Sequence, residues 1–214
     1  MKHSQMSRVL QLNARGGWWY KSTEVASWAE NHQVDIVALS ESWLCGPECT
    51  RLHTCHVSAD ISVRGWTWTG RERSSHAGGV GFLVRDNILF RRLYDLESPA
   101  VQACWIEILC KQPLLFCAVY IPPGDFRAFE HFHHCVKDIP ARKRLLISGD
   151  FNARAAEFGD SASNSPGEKL LSIIVEDDLT LHNSHGVISR IDPASHSDSI
   201  LDLTLSSRSL GWNF

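Results

Sequence analysis

The chain has 214 residues, 43% of them hydrophobic, and a formal net charge of −3. That length and apolar share suffice for one sizeable core, so residues 1–214 are expected to form a single domain. The slight acidity argues against a broad basic face for gripping polyanions, though not against a local arc of Arg beside an acidic pocket. No run nears the ~20 apolar residues of a membrane span, and the start MKHSQMSRVLQLN lacks a signal peptide's apolar core, which predicts an intracellular, soluble protein.

Apolar, β-branched or aromatic runs predict nine strands, in chain order SRVLQLN, DIVALSE, WTWTG, GVGFLVRD, CWIEILC, LLFCAVYI, RLLISGD, LTLHN and SILDLTLS. Three amphipathic stretches predict helices. The first runs from Thr23 to His32 after a cap at Ser22, the second from Phe126 to Ile139, and the third from Glu168 to Asp177 behind Pro166-Gly167. Alternation of this kind, without repeats or linker-like runs, suggests strands in two packed sheets with helices outside. The seven cysteines are odd in number and scattered, so reduced thiols are expected; a zinc site from Cys45, Cys49 and Cys55 with His53 or His56 would lack a second paired half.

Polar residues end these runs in a repeated way. VLQLN ends in Asn13, DIVALSE in Glu41, LLFCAVY in Tyr120, and RLLISGDFN in Asp150 and Asn152. If the strands finish on one edge, these groups converge on one cleft. Asn and Asp are also ordinary turn formers, and for Asn13 that reading has equal weight. Glu41 and Asp150 come just beyond apolar runs, where an unpaired carboxylate is costly to bury and a cation would relieve the cost. Gly149 before Asp150 permits close backbone approach.

The segments LSESW, GGVGFLV, AVYIPP, SGDFNA and SILDLTL, in that order, resemble the endonuclease/exonuclease/phosphatase superfamily, which includes deoxyribonuclease I and the apurinic/apyrimidinic endonucleases. Within it, the ending LTLHNSHGVISRIDPASHSDSILDLTLSS is similar to the endonuclease domain of non-LTR retrotransposons, and the resemblance covers about residues 8–210. It implies an α/β (α+β) fold: a four-layered α/β sandwich of two mixed β-sheets packed face to face with flanking helices. It further implies Mg2+, with Mn2+ as a substitute, held by Glu41 and Asn13. Asp150 would accept a proton from the attacking water and Asn152 would hold that water or a phosphate oxygen. Tyr120 would donate to the phosphate, with Arg15 also meeting phosphate, and Asp202 would orient a catalytic histidine.

That histidine belongs to a Ser-Asp-His motif in the family, whereas this sequence runs out at Gly211-Trp212-Asn213-Phe214, so the C-terminal strand is expected to be truncated and cleavage impaired. His196 and Asp198 precede the Asp202 strand and read as a polar loop; His185 and His196 are the first substitutes to consider. The activity implied is metal-dependent nicking of double-stranded DNA by a nuclear, monomeric domain, with a reverse transcriptase domain as its partner in a longer polypeptide. Two alternatives stand beside it: a phosphatase of the same superfamily, and a degenerate domain that binds DNA or protein without cutting. Trp18-Trp19 could pack in the core or stack on bases, and the Arg71 to His76 loop could meet DNA or solvent. His131, His133 and His134 point different ways on one helix, against a metal cluster.

Overall fold

A computed structural model describes residues 8–46, 61–72, 78–141, 143–183, 187–191, 196 and 198–210. In chain order the elements are β1 (Val9–Asn13), α1 (Trp18–Asn31), β2 (Ile36–Ser40), β3 (Trp66–Arg71), β4 (Val80–Arg85), β5 (Phe90–Arg92), β6 (Gln102–Ile108), β7 (Leu114–Tyr120), α2 (Phe126–Lys137), β8 (Arg144–Asp150), α3 (Ser165–Glu176), β9 (Leu179–Leu181), β10 (Arg190–Ile191), β11 (Asp198–Ser199) and β12 (Asp202–Ser207).

One sheet has the order β1-β2-β4-β3 and a second β5-β6-β7-β8-β12-β9, while β10 and β11 form a separate pair. Both large sheets are mixed, since β1 and β2 run parallel, as do β7 and β8, and the remaining pairs in these sheets are antiparallel.

The layers follow from period-2 alternation. Ile36, Ala38, Val80, Phe82 and Val84 of the first sheet meet Cys104, Ile106, Phe116, Ala118 and Leu146 of the second between the sheets. On the outer face of the first sheet, Val37, Leu39 and Leu83 pack against Trp18, Ala26 and Ala29 of α1. The outer face of the second, through Trp105, Cys117, Val119, Ile147 and Leu203, packs against Phe129 and Phe132 of α2 and Leu170 and Ile173 of α3. This is the four-layered α/β sandwich expected.

Three local expectations change. The first helix begins at Trp18 rather than Thr23, because Gly16 and Gly17 both adopt left-handed φ (75° and 70°) and turn the chain at once; Ser22 is buried inside the helix instead of capping it. Trp18 is core, whereas Trp19 is half exposed. The third helix starts at Ser165, where the Asn164 side chain accepts from Gly167 N at 2.8 Å, a regular N-cap. The short strands β5, β10 and β11 have no run long enough to signal them, and Asp198 lies in β11 rather than in a loop.

Among the described cysteines, Cys104 and Cys117 are buried thiols and Cys110 is an exposed one, none of these three in a disulfide, and Cys45 is buried. Cys49, Cys55, His53 and His56 lie outside the described residues, as do His76, His185 and the C-terminal residues 211–214. No helix among the described residues is long and apolar enough to cross a membrane.

Candidate active site

The space between the sheets changes character along the strands. On β1, Leu10 and Leu12 face α1, while Val9 packs between the sheets, so Gln11 and Asn13 follow Val9 on the inner face. On β8 the same inner face reads Leu146, Ser148, Asp150, and on β7 it reads Phe116, Ala118, Tyr120. Each strand runs from apolar to polar toward the same end. Register aligns the last members: Asn13 pairs with Ser40 in one sheet, and Gln102, Tyr120, Asp150 and Asp202 form one row across the other.

At this end Asn13 joins the two sheets. Its Nδ2 donates to Glu41 Oε1 at 2.9 Å and to Asp150 Oδ2 at 2.8 Å, and its Oδ1 accepts from Arg15 N at 2.9 Å. The bond from a backbone N–H fixes which side of the amide is oxygen and leaves both N–H bonds for the carboxylates. Gln11 Nε2 donates to Asp202 Oδ1 at 2.7 Å.

Three loops set these groups. Glu41 follows β2 with φ 54°, and Asn152 follows β8 with φ 48°, left-handed values that non-glycine residues adopt where surrounding contacts impose them. For Glu41 those contacts are Gly16 N to its carbonyl at 2.8 Å, then Ser42 N to Gly79 O and Trp43 N to Gly78 O at 3.0 and 2.9 Å. Gly79 N in turn donates to the Gln102 side chain at 2.7 Å. Trp43 Nε1 donates to Glu41 Oε2 at 3.1 Å, and its ring covers Gly16 so closely that an added Cβ there would sit 2.2 Å from it.

Gly149 answers a different constraint. An added Cβ would lie 1.9 Å from Val119 O, so no side chain fits where β8 lies against β7. Beyond it, Asn152 N donates to Asp150 Oδ1 at 2.9 Å, and Asn152 Nδ2 to Ile121 O at 2.9 Å. The Asn152 amide is therefore partly engaged in holding its own loop. The carboxylate of Asp160, wholly buried, accepts from Arg154 Nε and Nη2 at 3.0 and 2.7 Å, from Ala162 N at 3.1 Å and from Ile200 N at 2.9 Å. It ties the loop after Asn152 to the turn before Asp202.

Burial, followed by the charge of Asp202 and then Glu41, pushes the Asp150 carboxyl up to about 7, against the opposing bonds from Asn152 and Asn13. Burial also raises Asp202, opposed by Gln11 and Ser189. The Tyr120 hydroxyl is raised well above its ordinary value by burial and by Glu41 and Asp150, with Arg190 acting the other way.

An oxygen donor set with excess negative charge fits a hard divalent cation such as Mg2+. Among the described residues no three His, Cys, Asp or Glu side chains are grouped closely enough to enclose a metal. Mg2+ needs no such cage, since one or two carboxylates and several waters suffice. Glu41 is the carboxylate that such an open site would use, and the Asn13 amide oxygen, which accepts from Arg15 N, would be its neutral donor. Arg15, exposed and left-handed at φ 46°, stands at its rim.

Gln11, Trp43, Gln102, Ser189 and the Arg154–Asp160 pair belong to this region and are absent from the residues singled out by sequence. Gln11 had a signal, a polar residue at even spacing from Asn13 inside an apolar run.

An endonuclease-reverse transcriptase family model matches residues 114–212. The chain is 24% identical over 173 residues to a probable RNA-directed DNA polymerase from transposon X-element of Drosophila melanogaster, which covers 80% of this chain and 18% of that protein. A second Drosophila melanogaster protein, from transposon BS, is 25% identical over 168 residues, with 76% and 17% covered. The chain thus spans less than a fifth of the length of these relatives.

Among solved structures it resembles the endonuclease domain of TRAS1, a telomere-specific non-LTR retrotransposon (TM-score 0.74, 17% identity, 95% of this chain and 86% of that one). It also resembles the AP endonuclease LMAP from Leishmania major (0.68, 12%, 98% and 81%) and the 3' phosphatase NExo from Neisseria (0.66, 15%, 95% and 88%). The likeness to these solved structures is one of fold.

Proposed function

We propose that the chain is a Mg2+-dependent phosphodiesterase that nicks double-stranded DNA. The observation that carries this reading is the Asn13 amide bridging Glu41 and Asp150 across the two sheets, at the end where Tyr120 and Asp202 also finish their strands. Glu41 and the Asn13 amide oxygen would hold Mg2+, which would offset charge building on a phosphate oxygen. Asp150, fixed by Asn13 and the Asn152 N–H, accepts the proton of the attacking water. The Tyr120 hydroxyl donates to a phosphate oxygen, Asn152 borders the same space, and Arg15 meets the backbone phosphate at the rim. Asp202, the register partner of Asp150, is the carboxylate that in the family pattern would orient a histidine. Mn2+ is expected to substitute for Mg2+.

The domain is proposed to act as the endonuclease of a longer nuclear polypeptide that includes a reverse transcriptase; the Drosophila relatives carry the name of probable RNA-directed DNA polymerases. Likeness to a 3' phosphatase favours phosphatase activity as the second reading. Nicking of supercoiled plasmid in Mg2+ and in EDTA, beside release of phosphate from a 3'-phosphorylated oligonucleotide, separates the readings. Nicking that stops in EDTA supports the first; phosphate release alone supports the second; neither activity, with DNA still bound, supports a non-catalytic domain.

A further inference from the structure

Gln11 and Asn13 stand two residues apart on β1, so both amides point between the sheets at successive steps. Asn13 reaches Asp150 at 2.8 Å and Gln11 reaches Asp202 at 2.7 Å. Asp150 and Asp202 are register partners on β8 and β12. Directly opposed side chains have Cβ atoms about 4.5–5.5 Å apart, and like charges in that position repel. The backbone of Asp202 is fixed separately, its N–H donating to Ser189 Oγ at 3.1 Å and its carbonyl accepting from Asn183 Nδ2 at 2.8 Å. The Ser189 hydroxyl also meets its carboxylate from its own side, and Gln11 supplies the donor that reaches the carboxylate from the other sheet.

We propose that Gln11 is a positioning residue, whose amide–carboxylate bond across the sheets holds Asp202 turned toward β1 and clear of Asp150. Each carboxylate then has its own amide partner, and Asp150 keeps Asn13 and the Asn152 N–H. This rests on the hydrolytic reading for its effect on rate, though not for the bond itself.

The test is a four-protein cycle of wild type, Gln11→Met, Asp202→Asn and the double variant, because Met matches Gln in length without donating. Plasmid nicking in Mg2+ should fall on the order of ten- to a hundredfold in kcat for Gln11→Met, the scale of a small misplacement of a reacting group, with KM within about twofold. In the Asp202→Asn background the same change should cost less than about twofold. Wild-type turnover in Gln11→Met, or an equal loss in both backgrounds, overturns the proposal.

Side-chain amide signals by NMR judge it independently of activity. The Gln11 Nε2 protons should exchange slowly and lose protection in Asp202→Ala, which removes the acceptor, and in Gln11→Met the Asn13 Nδ2 protons should lose protection as well. If wild type does not nick, the hydrolytic reading falls and these signals alone decide; Asn13 protection unchanged in Gln11→Met overturns the inference in either case.

Discussion

Asp160→Asn tests how the loop after Asn152 is held. The native carboxylate takes four bonds, three on Oδ1 from Arg154 and Ala162 N, and one on Oδ2 from Ile200 N. Asn retains one acceptor oxygen, so its amino group must face either Ile200 N or the guanidinium, donor against donor. An unsatisfied buried N–H costs about 1–3 kcal/mol and a lost charge-assisted bond about 1.5–3. The Arg154 side chain is 28% exposed and can turn to water, so the second contribution is discounted. A loss of about 2–4 kcal/mol follows, or about 5–15 °C in Tm for a domain of this size.

The loss should depend on pH. Burial raises the Asp160 carboxyl, but the bonds from Arg154, Ile200 and Ala162 outweigh it and hold it below the ordinary range. A depressed folded-state value means the stabilisation is complete above the unfolded value of about 3.9 and disappears as pH falls through the folded one. Urea midpoints at pH 7 should therefore differ fully between wild type and Asp160→Asn, and the gap should narrow below about pH 4. A gap under about 1 kcal/mol at pH 7, or one constant down to pH 3, would refute the reasoning.

Three further outcomes are expected. Glu41→Gln should abolish Mg2+-dependent nicking while leaving Tm equal to or above wild type, since it removes one of the like charges near Asp150; unchanged Mg2+ dependence would remove Glu41 from the metal role. Asp150→Asn and Asn152→Ala should be strongly non-additive in rate, the double variant little slower than Asp150→Asn, because Asp150 Oδ1 and Asn152 N already form one unit. Trp43→Phe keeps a ring over Gly16 but withdraws the N–H from Glu41, so the Mg2+ concentration at half-maximal nicking should change severalfold with little effect on Tm; a large Tm loss with unchanged Mg2+ response would make Trp43 purely a packing residue.

Much of the architecture was legible because each inner strand carries a run long enough to signal itself, and because residues at even spacing share a face. VLQLN shows both, with Leu10 and Leu12 facing one layer and Val9, Gln11 and Asn13 the other. What escaped was set by tertiary contact. Ser22 had the chemistry of a helix cap, yet two left-handed glycines started the helix earlier. Trp43 was not singled out in the sequence, and its N–H meets Glu41 where both residues have positive φ. Asp160 is an unremarkable acid in sequence, and its role comes from Ile200, forty residues on.

The inner row of Asp150 and Asp202 is not needed by the fold. Two residues deeper on the same strands, Ser148 and Thr204 occupy the equivalent register and share a neutral hydroxyl bond of 3.0 Å. Carboxylates at the next step, with Asp150 almost wholly buried, give up stability that a neutral pair would keep. The raised Asp150 value makes this measurable. A folded value of about 7 against about 3.9 unfolded makes the ionised form unfavourable in the fold, fully so above pH 7 and progressively less as pH falls toward 4. In EDTA, wild type should therefore gain stability on acidification across that window, by at most about 4 kcal/mol before other groups titrate. Asp150→Asn should flatten the dependence. It sacrifices one acceptor for Asn13 or Asn152 N, worth about 1–2 kcal/mol, so its net gain at pH 8 should be about 1–3 kcal/mol. The measurement is the urea midpoint of both proteins at pH 5, 6.5 and 8 in EDTA. A variant less stable than wild type at pH 8, with a wild type insensitive to pH, would mean that Asp150 sits there for the fold and not at its expense.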